Sequence, residues 1–138
     1  MAKKRKISRQ TTRSQDGLTS YGNETGDQLV FWTRKRPACY PLSMEFANSS
    51  WWREHNYWVR KKSRRFILEL ITAGEAQYEC NGNEFIGQRG DVLIGHIGAS
   101  TSLRPGPAGY FLKRGLCLCG PALEELVASS VLSDQIVV

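Results

Sequence analysis

From about residue 28 the chain reads as short apolar or alternating runs cut by turn-forming residues, the pattern of a β-sandwich or barrel. Leu29-Val30-Phe31-Trp32 is short and apolar, fitting an edge strand or a tethered arm. Leu42 to Phe46 alternates, Asn48-Ser49-Ser50 reads as a turn, and the aromatic runs Trp51-Trp52-Arg53 and Tyr57-Trp58-Val59-Arg60 suit a half-buried pleated surface. The strongest strand is Phe66-Ile67-Leu68-Glu69-Leu70-Ile71-Thr72. Phe66, Leu68 and Leu70 share one face, and Ile67, Glu69 and Ile71 share the other. Both faces are largely apolar, which predicts a central strand ending at Gly74.

Asn81-Gly82 lies between two strand-like runs, residues 76 to 80 and 83 to 86, and is the dipeptide best suited to a two-residue hairpin turn. A further strand is expected over Asp91 to Ile94 and another over Ser100 to Arg104. Pro105-Gly106-Pro107-Ala108-Gly109 then forms a loop, because proline cannot donate to a ladder. Tyr110 to Cys119 returns as a long strand with an interruption at Gly115.

One helix is predicted, starting at Pro121, where a missing amide proton costs nothing. Leu123, Leu126, Val127 and Val131 recur on one stripe, and Glu124 and Glu125 sit favourably in the first turn. That stripe must cover either the barrel's side or a second subunit. The chain ends on Ile136-Val137-Val138, apolar residues that read as the beginning of a segment cut short.

Size and charge narrow the function classes. The 138 residues amount to about one domain, large enough to bury a core without disulfides. The net charge of +6 suggests nucleic acid until its position is considered. Lys3, Lys4, Arg5, Lys6, Arg9 and Arg13 all precede the first acid, Asp16, and the remaining thirteen basic residues equal the thirteen acidic ones. The basicity therefore belongs to a polar arm, residues 1 to 27, expected to be disordered. A second basic run, Arg60-Lys61-Lys62-Ser63-Arg64-Arg65, is either a solvated loop or the rim of an anion-binding surface. No apolar run is long enough for a membrane span and no signal-peptide pattern opens the chain, so a cytoplasmic protein with no membrane partner is expected. Cys39, Cys80, Cys117 and Cys119 fit that compartment as reduced thiols.

Residues 89 to 98, Arg-Gly-Asp-Val-Leu-Ile-Gly-His-Ile-Gly, carry the most specific signal. They resemble the second motif of the cupin β-barrel, written Gly, five residues, Pro, one residue, Gly, two residues, His. Gly90 and Gly98 fall in register, His96 takes the proline position and Thr101 takes the metal-binding histidine position. Counting back from Gly74, the first-motif ligand positions fall on Ile67 and on residues 60 to 63, Arg-Lys-Lys-Ser. Cationic side chains repel a divalent ion and cannot ligate it. With only His55 and His96 as histidines, no metal or other cofactor is expected.

Asn56 to Arg60, the strand from Phe66 to Thr72, the Ala73-Gly74 turn, the Asn-Gly hairpin, Gly90-Asp91 and the Gly120-Pro121 helix occur in one order. That order, over residues 38 to 132, resembles the amino-terminal sensor half of AraC-type transcription regulators. The resemblance implies a mainly β, cupin-like jelly-roll barrel over residues 28 to 120. Residues 121 to 138 would then begin a helical dimerisation or linker segment. It also implies a homodimer and a small-molecule effector, a sugar or similar polar metabolite. DNA would be bound only through a carboxy-terminal helix-turn-helix domain absent from this sequence. Gly95-His96-Ile97 replaces the family's proline-containing turn, and Leu116 to Cys119 replaces a more aromatic strand.

No nucleophile elbow, phosphate loop or dinucleotide fingerprint occurs, so a non-enzymatic binding role is expected. The rival is a stand-alone cupin isomerase or oxygenase, or a small-molecule-binding cupin outside regulation. Trp51, Trp52, Tyr57 and Trp58 crowd one short stretch, and alternation places Trp52 and Trp58 inward, as core or as stacking surfaces for a ligand. Arg60 matches an arginine that recurs in the sensor family before the central strand, where it can reach effector oxygens. Arg114, on the returning strand, and His96, in the turn, complete the candidate ligand contacts: Trp52, Trp58, Arg60, His96 and Arg114.

Overall fold

The computed structural model describes residues 40–138 in full, together with the backbone of two upstream strands, residues 18–20 and 28–32. In chain order the elements are β1 (Leu18–Ser20), β2 (Gln28–Trp32), β3 (Ser43–Arg53), β4 (Trp58–Arg60), β5 (Phe66–Cys80), β6 (Asn83–Gln88), β7 (Val92–Gly95), β8 (Thr101–Pro105), β9 (Tyr110–Cys119) and α1 (Leu123–Ala128). All pairings are antiparallel. β1, β4, β8, the second half of β5 and β6 make one sheet; β2, β3, β9, the first half of β5 and β7 make the other. The architecture is the mainly β, jelly-roll barrel that the sequence predicts.

β5 belongs to both sheets and turns between them at Gly74, whose φ is +71°. A Cβ there would collide with the Tyr110 carbonyl oxygen, so this corner admits only glycine. Asn81 (φ +49°) and Gly82 (φ +85°) form the expected hairpin turn between β5 and β6. Phe66, Leu68 and Leu70 do face away from Ile67, Glu69 and Ile71, and the first half of β5 is central, between β9 and β7.

The core between the sheets gathers Trp58, Ile71, Ala76, Tyr78, Cys80, Leu93, Ala99, Leu103 and Phe111. A second cluster lies outside, where Leu123 of α1 packs on Phe66 and Ile94, flanked by Leu68, Val92, Leu118, Val127 and Leu132. The helical stripe thus covers the barrel's own side. Its length is overestimated by periodicity: α1 ends at Ala128, Leu126 is exposed and Val131 is 86% exposed, while Leu132 packs in its place. The Ser129 amide makes the last helical bond, to the Glu125 carbonyl, and from Ser130 onward the amides of Ser130, Ser133 and Gln135 donate three residues back, as turns do.

Other expectations need correction. Asn48-Ser49-Ser50 is no turn; β3 runs unbroken because β2 and β9 pair with it along those residues. Gly115 does not interrupt β9. It sits opposite Asn48, whose side-chain oxygen occupies the space a Cβ would need. Residues 18–20, inside the expected disordered arm, pair with β4; the rest of residues 1–27 lies outside the described residues. Ile136-Val137-Val138 does not dangle: Val138 and Ile136 exchange backbone hydrogen bonds with Val92 and Ile94 at 2.7–3.1 Å, extending the edge of the sheet beyond β7. No helix among the described residues is long and apolar enough to cross a membrane.

Candidate functional site

The inner faces of the barrel are not uniformly apolar. Arg60, Thr101 and Cys80 are successive partners across β4, β8 and β5, so their side chains form one inward row near one barrel end. All three are buried. Beside them Ile67 also points inward, at 2% exposed. Positions 60, 67 and 101, aligned above with the cupin metal shell, therefore do converge on the interior, carrying an arginine, an isoleucine and a threonine. That donor set does not fit a metal. No cluster of His, Cys, Asp or Glu among the described residues could hold one.

Arg60 is 8% exposed and its guanidinium carbon lies 4.4 Å from the centroid of Trp58, an aromatic face that attracts cations. It forms no hydrogen bond to the described residues. Burial pulls its pKa below the ordinary value, while the charge of Glu69 pulls it back up. Gly95 lies beside the guanidinium, where a Cβ would make an ordinary van der Waals contact with it at 3.6 Å. Thr101 Oγ1 is buried and has no hydrogen-bond partner among the described residues. The Tyr78 hydroxyl lies near it and donates its proton to the Ile94 carbonyl at 2.9 Å.

Deeper in, Lys113 and Glu69 form a buried ion pair, with the ammonium 5.2 Å from the Trp52 ring and 5.8 Å from the Trp58 ring. Burial lowers the Lys113 pKa and Glu69 opposes that shift. Arg65 holds Glu45 through two hydrogen bonds of 3.0 and 2.9 Å. Cys117 lies 3.6 Å from that carboxylate, and burial followed by the Glu45 charge pushes its thiol up to about 12. It is a protonated, unreactive thiol. Cys80 is pushed up by burial as well.

The five candidates do not form one site. Trp58 and Arg60 stack within the barrel. Trp52 is half-buried, stacks on Phe111 at 5.3 Å and donates its indole proton to Ser50 Oγ at 2.8 Å. His96 is half-buried at the rim. Its Nε2 must be protonated, since it donates to the Gln135 carbonyl at 2.7 Å, and its ring meets Phe66 edge-on. His96 thus ties the terminal segment to the barrel. Arg114 is misplaced by the sequence reading: it projects from the outer face, exposed, while its neighbour Lys113 turns inward. Strand alternation allows only one of the two inside.

An open depression of about 470 Å³ lies at the Arg60–Thr101 end, bounded by Cys80, Asn81, His96, Gly98, Asp134 and Ile136. Cys80 is thus shared between this depression and the inward row. The missed polar residues are Glu69 and Lys113. Glu69 was visible as the one charge among Ile67 and Ile71; Lys113 was not, because both phases of β9 carry apolar residues.

Comparison with solved structures shows a cupin fold. YhaK from Escherichia coli matches at 18% identity and a TM-score of 0.59, over 80% of this chain and 49% of its own. This chain therefore spans about half of that protein. A protein described as a predicted oxalate decarboxylase from Thermotoga maritima matches at 15% identity and a TM-score of 0.55, over 75% of this chain and 92% of its own. The cupin domain of Schizosaccharomyces pombe Cnp3 matches at 13% identity and a TM-score of 0.52, over 81% of this chain and 71% of its own. At these identities the likeness is one of fold. No family model matches the chain, and neither does any curated protein.

Proposed function

We propose that this chain is the effector-binding domain of an AraC-type transcription regulator, a cupin barrel that binds a small polar metabolite without a metal and without catalysing a reaction. The observation that carries the reading is the chemistry at the ligand positions of the cupin interior: Arg60, Ile67 and Thr101 replace metal-binding side chains. A barrel that keeps polar groups there, without hydrogen-bond partners among the described residues, is suited to a ligand's oxygens. Trp58 supplies a flat wall beneath Arg60. The order of strand, hairpin and helix motifs along residues 38 to 132 supports the regulator assignment. Fold alone does not, because cupins serve many activities.

In this reading the chain forms a homodimer in the cytoplasm, and DNA is bound by a separate helix-turn-helix domain. Effector binding biases the arrangement of barrel, α1 and terminal segment, which His96 and the pairing with β7 join mechanically. The assignment is tested by reading the coding sequence downstream of the Val138 codon. Two helix-turn-helix patterns there support it, and a stop codon directly after Val138 removes it. Stoichiometric iron, zinc or manganese in the purified protein, measured by elemental analysis, contradicts the metal-free reading and favours a cupin isomerase or oxygenase.

A further inference from the structure

Among the described residues, the charges buried in this barrel do not balance. Lys113 and Glu69 pair, and that pair sums to zero whichever partner holds the shared proton. Arg65 and Glu45 pair likewise. Arg60 remains, a permanent cation at 8% exposure whose contacts among the described residues are the Trp58 face and the field of a Glu69 carboxylate already engaged by Lys113. Next to it in the same row is Thr101, 3% exposed, with an unpartnered hydroxyl oxygen. Native proteins rarely leave a buried hydroxyl such as that of Thr101 unsatisfied, and the neighbouring guanidinium, largely withdrawn from water with no counter-charge of its own among the described residues, favours an anion.

We infer that the ligand of this barrel end is a small organic monoanion whose carboxylate lies between Arg60 and Thr101. The inference rests on the reading of this end as a ligand site and narrows it to a charge class. One cation without a counter-charge of its own among the described residues matches one carboxylate. A phosphate monoester, at about −1.5 to −2 near neutral pH, would overshoot it. The guanidinium presents a planar fork that fits a carboxylate with two parallel bonds, and the threonine hydroxyl donates a third. Lys113 and Glu69, already paired, act as neighbours that fix the Trp58 wall. The depression bounded by Cys80, Asn81 and His96 meets this row at Cys80, the cross-strand partner of Thr101.

The test is thermal unfolding of the full chain with sodium acetate, sodium galacturonate, galactose or inorganic phosphate, at ionic strength held constant with sodium chloride. Acetate and galacturonate are expected to raise Tm with concentration, galactose to leave it unchanged, and phosphate to act less than acetate. Acetate is followed to about 100 mM, a range in which so small a fragment can register. In Arg60→Met the affinity for galacturonate falls about 10- to 100-fold, the weight of a charge-assisted hydrogen bond, and in Thr101→Val by about 3- to 10-fold. Arg60→Lys retains part of the response. A galactose shift as large as that of galacturonate overturns the charge class while leaving a small-molecule binder standing. A larger response to phosphate overturns the carboxylate. Equal carboxylate shifts in wild type and Arg60→Met, or none in wild type, overturn the site.

Discussion

The two ends of the barrel interior are built from different materials. Near Gly74, the space between the sheets is filled by Ile71, Ala76, Leu93, Leu103 and Phe111, apolar side chains whose burial drives folding. Toward Gly95 and Thr101, the same two sheets enclose Arg60, Thr101, Glu69, Lys113 and Glu45, the last held by the half-buried Arg65. A buried ion pair contributes little net stability over an apolar pair of similar volume, and an unpaired cation costs stability. One end holds the fold together, and the other tolerates a cost that binding can offset. That contrast separates scaffold from site in a chain with no recognisable catalytic motif.

The largest effect is expected from splitting the polar end's own pair. Glu69→Gln leaves Lys113 buried without its counter-charge and should lower the unfolding free energy by about 3–5 kcal/mol in urea denaturation. Glu69→Gln combined with Lys113→Met should recover most of that loss. At the apolar end, Leu103→Ala creates a cavity at a fully buried position and should cost about 2–5 kcal/mol, with no comparable rescue by a second substitution. If the Glu69 and Leu103 variants behave alike, the contrast between the ends fails.

Alkaline pH sharpens it further. The Cys117 thiol has its folded pKa raised to about 12 from an ordinary value of 9.0, so the folded state keeps a proton that the unfolded chain releases. Its contribution is complete below pH 9 and is lost as pH rises toward 12, at no more than about 1.4 kcal/mol per pH unit. Stability of wild type and Cys117→Ala, followed from pH 8 to 11, should therefore converge as pH rises. Parallel curves contradict the assigned shift. The smallest effect is expected at Arg114, which stands outside the barrel: Arg114→Gln should change stability by less than about 0.5 kcal/mol and leave ligand binding unaltered.

Much of the scaffold was legible because it rests on local patterns. The two-faced apolar run at Phe66 to Thr72, the Asn81-Gly82 turn and the Gly90-Asp91 corner are each written within a few residues. The site was legible where the phase of a strand was unambiguous, as at Trp58 and Arg60, buried residues two apart on β4. It was illegible on β9, where Leu112, Leu116 and Leu118 on the outer phase outweigh Phe111 and Cys117 on the inner one, so hydrophobicity points Lys113 the wrong way. The outer phase is apolar partly because α1 and the segment after it cover Leu118, a packing decided by residues far along the chain. The continuity of β3 through Asn48 to Ser50 and the return of Ile136 to Val138 onto the sheet edge are likewise long-range pairings that no local window contains.

The central claim, that the Arg60 end is arranged for a ligand rather than for stability, is tested most directly by urea unfolding of ligand-free Arg60→Met beside wild type. Methionine keeps much of the side-chain volume and removes the charge. An unfolding free energy equal to wild type or higher by up to about 2 kcal/mol is the predicted result, because a buried cation with no counter-charge of its own among the described residues has been removed. A loss of more than about 1 kcal/mol would contradict the claim, since Arg60 would then be holding the barrel together.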